Sequence, residues 1–180
     1  MSHRICPCWM CYTFDNPLRR LVHDPRKIVG PYLREGMTAL DVGCGMGYFT
    51  IGMARLVGPS GRVIAVDLQQ KMLDALKRRA ERHGAADRVR LHRCEPDRLG
   101  IEEPVDFILT FWMVHEAPDV PNLMQELRAS LKPAGRYLLV EPRWHVPAPH
   151  FETTLSTAQE AGFTLLARPR VRLSRTALFE

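Results

Sequence analysis

Leu40-Asp41-Val42-Gly43-Cys44-Gly45-Met46-Gly47-Tyr48 is the stretch on which the fold turns. Ahead of it, Thr38–Val42 is a short apolar run bounded by Gly36 and Gly43, the pattern of a buried strand. Behind it, Tyr48–Val57 has helical spacing and stops at the breaker cluster Gly58-Pro59-Ser60-Gly61. Three glycines at alternate positions let the chain turn sharply and let a ligand come close to the backbone, because no Cβ intervenes. The helix that follows presents N–H groups with no partner inside the helix. The next strand, Arg62–Asp67, ends on an acid twenty residues beyond Gly47. In doubly wound sheets an acid at that place accepts hydrogen bonds from the ribose of a bound nucleoside. Strand, glycine turn, helix, strand and terminal acid together point to a nucleoside ligand.

The pattern continues outward. Gln69–His83 has one apolar helical face (Met72, Leu73, Leu76, Ala80), and Gly84 stands where a helix C-cap belongs. Val89–Arg93, Val105–Trp112 and Tyr137–Glu141 are further strand candidates, with helices predicted over Asn122–Leu131 and Phe151–Ala161. Phe163–Ala167 and Arg175–Phe179 read as two closing strands across a short basic turn. Such alternation predicts an α/β fold: a Rossmann-like, doubly wound, mostly parallel seven-stranded sheet with helices on both faces. The first 35 residues differ. Asn16-Pro17 and Asp24-Pro25 are N-cap and N1 pairs, predicting short helices over Pro17–His23 and Pro25–Arg34. The expected organisation is a helical, cysteine-containing lid over residues 1–35 and a ligand-binding domain over residues 36–180.

With 180 residues, 46% hydrophobic and 25% charged, the chain suits one core and excludes a disordered protein. Its densest apolar stretch, Phe107–Val114, falls far short of the ~20 residues of a membrane span. The N-terminus lacks an apolar leader, and five cysteines form an odd count, so reduced thiols in a cytoplasm are expected. A net charge of +5 is spread over 25 basic and 20 acidic residues without a recognition motif, so nucleic acid is not the expected partner. Oligomeric state is left open.

Two residues select among nucleoside ligands. A dinucleotide fingerprint needs glycine three places after its second glycine, where Tyr48 stands. Asp41 would repel a diphosphate but hold an ammonium group, and S-adenosylmethionine carries an ammonium, a sulfonium and no phosphate. Leu40–Thr50 (LDVGCGMGYFT), Val63–Leu68 (VIAVDL), Asp106–His115 (DFILTFWMVH) and Leu131–Glu141 (LKPAGRYLLVE) resemble the class I S-adenosylmethionine-dependent methyltransferases of small-molecule type. The resemblance implies that Asp41 and the loop of Gly43, Cys44, Gly45 and Gly47 hold the methionine part of the methyl donor. It implies Asp67 for the ribose, Leu68 beside the adenine, and Thr110 to Trp112 near the sulfonium. Glu95 matches an acid that contacts the adenine amino group. Glu95-Pro96 departs from the usual Asp-Ala, with Asp97 as a substitute.

Methyl transfer is an in-line displacement that needs alignment, and a base only where the acceptor must lose a proton. His115 and Glu116, after the fourth strand, are the catalytic candidates, with His115 a base, a residue that orients the acceptor, or a histidine that supports the turn. Thr110-Phe111-Trp112-Met113 bears no likeness to the Asn/Asp-Pro-Pro-Tyr/Phe of base and glutamine methylases, which favours a small-molecule acceptor. Cys6, Cys8 and Cys11, near His3, could ligate zinc or a trivalent metalloid, form a redox pair, or remain plain thiols in an aromatic flap. A soft thiol or metalloid acceptor would suit that segment. Glu141–His145 is either a wall of the acceptor pocket or a linker, and Arg168–Arg175 either touches RNA or is a solvated turn. Three rival functions are a nicotinamide-dependent oxidoreductase, which Tyr48 and Asp41 disfavour, a non-catalytic S-adenosylmethionine-binding protein, and an RNA methyltransferase.

Overall fold

β1 (Thr38–Val42) is buried at every position and lies in parallel between β2 (Arg62–Asp67) and β4 (Val105–Phe111). The computed structural model describes residues 19–180. A strand covered on both faces has no polar side to present to water, which is why Thr38-Ala-Leu-Asp-Val reads as a continuous run and not as an alternation. β3 (Val89–Arg93) pairs with β2, β5 (Leu131–Pro142) with β4, and β7 (Ser174–Phe179) runs antiparallel between β5 and β6 (Leu165–Ala167). The order β3-β2-β1-β4-β5-β7-β6 is seven-stranded and doubly wound, parallel except for the closing hairpin.

Alternation along each strand assigns its residues to two cores. Ala39, Ala65, Leu109 and Val140 face α3 (Tyr48–Leu56) and α4 (Gln70–Arg82). Leu40, Ile64, Ile108 and Leu139 face α5 (Val120–Ser130) and α6 (Ala148–Glu160). After β1 the chain winds through β2 to β3, then returns across β1 to place β4 on its other side. The carboxyl ends of β1 and β4 therefore flank a topological switch point, where open α/β sheets bind ligands.

Several expected boundaries shift. Of the helix predicted over Pro17–His23, the described part is α1 (Arg19–Val22). The single helix predicted over Pro25–Arg34 is instead α2 (Pro25–Ile28), capped by Asp24, followed by a 3-10 turn over Gly30–Tyr32. Pro31 explains the break: it has no N–H to donate to the Lys27 carbonyl, and its ring would clash with that carbonyl in a continued α-helix. Within this segment Val29 and Leu33 are 0% and 3% exposed and belong to the core beside α3. α5 begins at Val120 and not Asn122, since Asp119 caps it through the Asn122 amide and Pro121 sits in its first turn. β5 starts at Leu131, which the helix was expected to include and which pairs with Val105, and α6 starts at Ala148, three residues early, behind Pro147.

Candidate functional site

All three glycines of the loop have positive φ, 69° at Gly43, 53° at Gly45 and 82° at Gly47, a region costly for other residues. Their surroundings separate them. A Cβ on Gly43 would lie 2.8 Å from the Met113 side chain, and one on Gly47 would lie 2.0 Å from Leu76 Cδ1. A Cβ on Gly45 would meet nothing within 4 Å. Gly43 and Gly47 thus allow the loop to pack on the turn after β4 and on α4, whereas Gly45 fronts open space.

The loop amides are already committed. The Gly43 and Cys44 N–H groups donate to the Val66 carbonyl at 2.9 and 3.0 Å, and Gly47 N–H donates to Cys44 O at 2.9 Å. The Asp67 carboxylate accepts from Gly45 N through Oδ2 and from Gln69 N through Oδ1, both at 2.9 Å. An amide nest for a diphosphate is therefore largely spent on the protein itself. Asp67 is 8% exposed; burial pushes its carboxyl up, and the Gln69 and Gly45 amides oppose that.

Asp41 points to the α3 face, where Thr50 Oγ1 donates to its Oδ2 at 2.5 Å. Burial pushes the Asp41 carboxyl up to about 6, the Thr50 hydrogen bond opposing and the Asp67 charge adding. Two buried acids at the ends of adjacent strands make this edge attractive to a cation. Cys44 is buried, and burial with the two carboxylates raises its thiol well above the ordinary range, which disfavours the thiolate. Leu68 is half-buried beside Asp67, and Cys94 N–H donates to Asp67 O at 3.3 Å. That bond places exposed Glu95 next to the acid, its backbone paired with Arg98. Asp97 gives its carbonyl to Asn122 Nδ2 at 2.7 Å.

At the end of β4 the side chain of Thr110 faces away from the loop. It is fully buried, with Oγ1 at 2.9 Å from Tyr137 OH on the α5 and α6 side of the sheet. Trp112 has φ 61°, a strained conformation for a bulky residue, at a cost of order 1–3 kcal/mol. Its surroundings over-determine it: its N–H donates to Val140 O at 2.7 Å and its Nε1 to Ser174 Oγ at 3.0 Å. The His23 and Trp144 rings stand edge-on to it, 4.9 and 4.7 Å between centroids. The Arg19 guanidinium lies 4.4 Å from the Tyr48 ring centroid and between 5.5 and 5.8 Å from those of Phe49, Phe111 and Trp112.

His115 lies in a 3-10 turn, Val114–Glu116, directly after this corner. Its Nδ1 donates to Glu141 Oε2 at 2.5 Å, and Glu141 Oε1 accepts from Val114 N at 3.1 Å. Glu116 Oε1 is 3.9 Å from His115 Nε2. The sequence offers Glu141 only as part of a wall or linker. Its pairing with His115 depends on the β4–β5 register, in which Phe111 sits opposite Val140, and no local pattern reveals that. Thr50, Arg19 and His23 were missed for the same reason. Among the described residues no group of three or more His, Cys, Asp or Glu is arranged to hold a metal, and Cys6, Cys8 and Cys11 lie outside them.

A methyltransferase-domain family matches residues 33–166 of this chain. A demethylmenaquinone methyltransferase of Lactobacillus johnsonii is 31% identical over 110 residues, 61% of this chain and 45% of that protein. An uncharacterized 37.1 kDa protein in transposon TN4556 of Streptomyces fradiae is 35% identical over 112 residues, 62% of this chain and 32% of that protein. The chain thus spans under half the length of these relatives. The structure of an S-adenosylmethionine-dependent methyltransferase from Aquifex aeolicus superposes with a TM-score of 0.84 at 25% identity, covering 97% of this chain and 98% of that one.

Proposed function

This chain belongs to the methyltransferase-domain family, and on that footing we propose that it transfers a methyl group from S-adenosylmethionine to a small-molecule acceptor. The observation that carries the proposal is the open side of Gly45, whose N–H is held by buried Asp67, in the loop that follows buried Asp41. The residues fit the donor: the open side of Gly45 admits its backbone-hugging part, the acids suit a cation, and the spent loop amides leave little for a diphosphate. Asp67 would accept from the ribose hydroxyls, Asp41 and the Gly43–Gly47 loop would hold the methionine part, and Leu68 and Glu95 would border the adenine. When bound, the donor supplies a methyl group made electrophilic by its sulfonium. The chain's own work is to align an acceptor and keep water out.

The acceptor expectation is finer: a soft thiol or trivalent metalloid, not a nucleic acid, in a cytoplasmic setting. It draws on Cys6, Cys8 and Cys11. Among the described residues no helix is long and apolar enough to cross a membrane. Mass spectrometry after offering arsenite, selenite and small thiols with S-adenosylmethionine tests it. A methylated thiol or metalloid is expected, and no methylated product from any of them sinks the soft-acceptor reading.

The Asp41 carboxyl also sets a pH dependence. Because its folded-state pKa is raised, the unfolded chain ionises first as pH rises from about 4 to about 6. Stability from this group is therefore present below that window and is lost through it, by roughly 3 kcal/mol. A ligand ammonium needs the ionised form, so affinity for S-adenosylhomocysteine should fall as pH drops below about 6, by up to about tenfold per pH unit. Calorimetric titrations between pH 5 and pH 8 check this, and Asp41→Asn should bind more weakly and with a flat profile across that window.

A further inference from the structure

We propose that Glu141 and His115 form a proton-accepting dyad, so that the acceptor is a small molecule with an apolar body whose attacking atom carries an O–H or S–H proton. This rests on the methyl-transfer reading above and narrows its acceptor class: a thiol fits, and a metalloid attacking through a lone pair has no use for the dyad.

Glu141 is the penultimate residue of β5 and is 1% exposed. Both of its oxygens are spent on one short turn, Oε1 on the Val114 amide and Oε2 on His115 Nδ1. Burying a carboxylate is expensive, and a turn can be held by neutral groups at lower cost, so a carboxylate here calls for a charged or chargeable partner. With Nδ1 donating, the neutral imidazole keeps its lone pair on Nε2. The groups facing the ring are Glu141 from β5, Glu116 from the same turn, and His145 beyond β5, whose ring centroid is 4.8 Å away. Burial pushes the His115 imidazole down, but the Glu141 hydrogen bond and charge, with Glu116, outweigh it and raise it above its ordinary value. Nε2 is therefore a stronger base than a free imidazole.

The dyad is coupled to the cofactor loop. Met113, two residues before His115, lies against Gly43 so closely that a Cβ there would overlap its side chain. On the other side, the turn that carries His145 also carries Trp144, which is 58% exposed and edge-on to Trp112. A ring or alkyl body resting there would bring its O–H or S–H towards His115. In the transfer, the acceptor's oxygen or sulfur gives an electron pair to the methyl carbon, and the pair of the broken carbon–sulfur bond stays on the donor's sulfur. The acceptor's proton passes to His115 Nε2. Glu141 stabilises the imidazolium, which then releases that proton to water. His115 is the catalytic residue in this scheme and Glu141 the positioning residue.

The test uses the whole chain, S-adenosylmethionine labelled in its methyl group, and a panel of phenols, thiophenols and alkyl thiols with arsenite alongside. Expected are a methylated phenol or thiol, a loss of about 100-fold or more in kcat in His115→Gln, and unchanged S-adenosylhomocysteine affinity. Glu141→Gln should lower kcat and move the acid limb of the kcat/KM profile to lower pH, because the imidazole loses its carboxylate. Wild-type protein that binds S-adenosylhomocysteine but methylates no phenol or thiol overturns the proposal. So does full activity in His115→Gln, and an acid limb that stays put in Glu141→Gln reduces Glu141 to a strut and overturns its role. Failure of the wild type to bind S-adenosylhomocysteine would instead overturn the methyl-transfer reading itself.

Discussion

Asp67→Ala should lower the affinity for S-adenosylhomocysteine by about 100-fold or more while leaving a folded protein. The loss follows from two charge-assisted hydrogen bonds to the ribose, each worth roughly 1.5–3 kcal/mol, set against about 1.4 kcal/mol per tenfold in affinity. The fold should tolerate the change because the carboxylate carries an opposing burial cost, which its removal relieves. Gly45 and Gln69 would lose an acceptor, but both lie at the ligand edge, where water can replace it. Isothermal titration calorimetry gives the affinity, and a thermal melt of the apo-protein separates loss of binding from loss of fold. An affinity unchanged within a few-fold would mean that the ribose lies elsewhere.

The loop glycines give the second large effect, and they should fail in different ways. Gly47→Ala puts a Cβ 2.0 Å from Leu76 Cδ1 at a φ of 82°. Overpacking and left-handed strain each cost of order 1–3 kcal/mol, so roughly 3 kcal/mol in total and a melting temperature lower by about 10 °C are expected. Gly45→Asn should melt close to the wild type, because asparagine tolerates the left-handed region and no atom beyond the adjoining residues stands within 4 Å of the new Cβ. Its side chain would instead enter the ligand's space, and binding of S-adenosylhomocysteine should be lost. If Gly45→Asn bound as well as the wild type, the opening at Gly45 would not be the cofactor seat.

Much of this fold was legible because buried parallel strands are continuous apolar runs and the glycine loop marks where one of them turns into a helix. The bounds of β1 and β2 follow directly from those runs, whereas β3 at the sheet edge alternates Val89, Leu91 with Arg90, His92. The Pro25–Arg34 segment carries a strong N-terminal helix signal in Asp24-Pro25, but Pro31 ends the α-helix before its expected C-terminus. Within the site, Asp41, Gly45 and Asp67 could be picked out because their spacing along the chain is itself the pattern. Thr110 could not be assigned: which way a buried strand residue points depends on the neighbouring strands, and here it points to Tyr137. Glu141 with His115, and Thr50 with Asp41, are long-range pairs created by strand register and helix docking. A sequence shows such residues one by one and not as partners.

On the proposed function, the open side of Gly45 beside Asp67 seats S-adenosylmethionine and not a dinucleotide. Calorimetric titration of the whole chain with S-adenosylhomocysteine, and separately with NAD, tests it most directly. Saturable binding of S-adenosylhomocysteine at one site per chain, with no heat from NAD, is the predicted result. Binding of NAD with no heat from S-adenosylhomocysteine would contradict it.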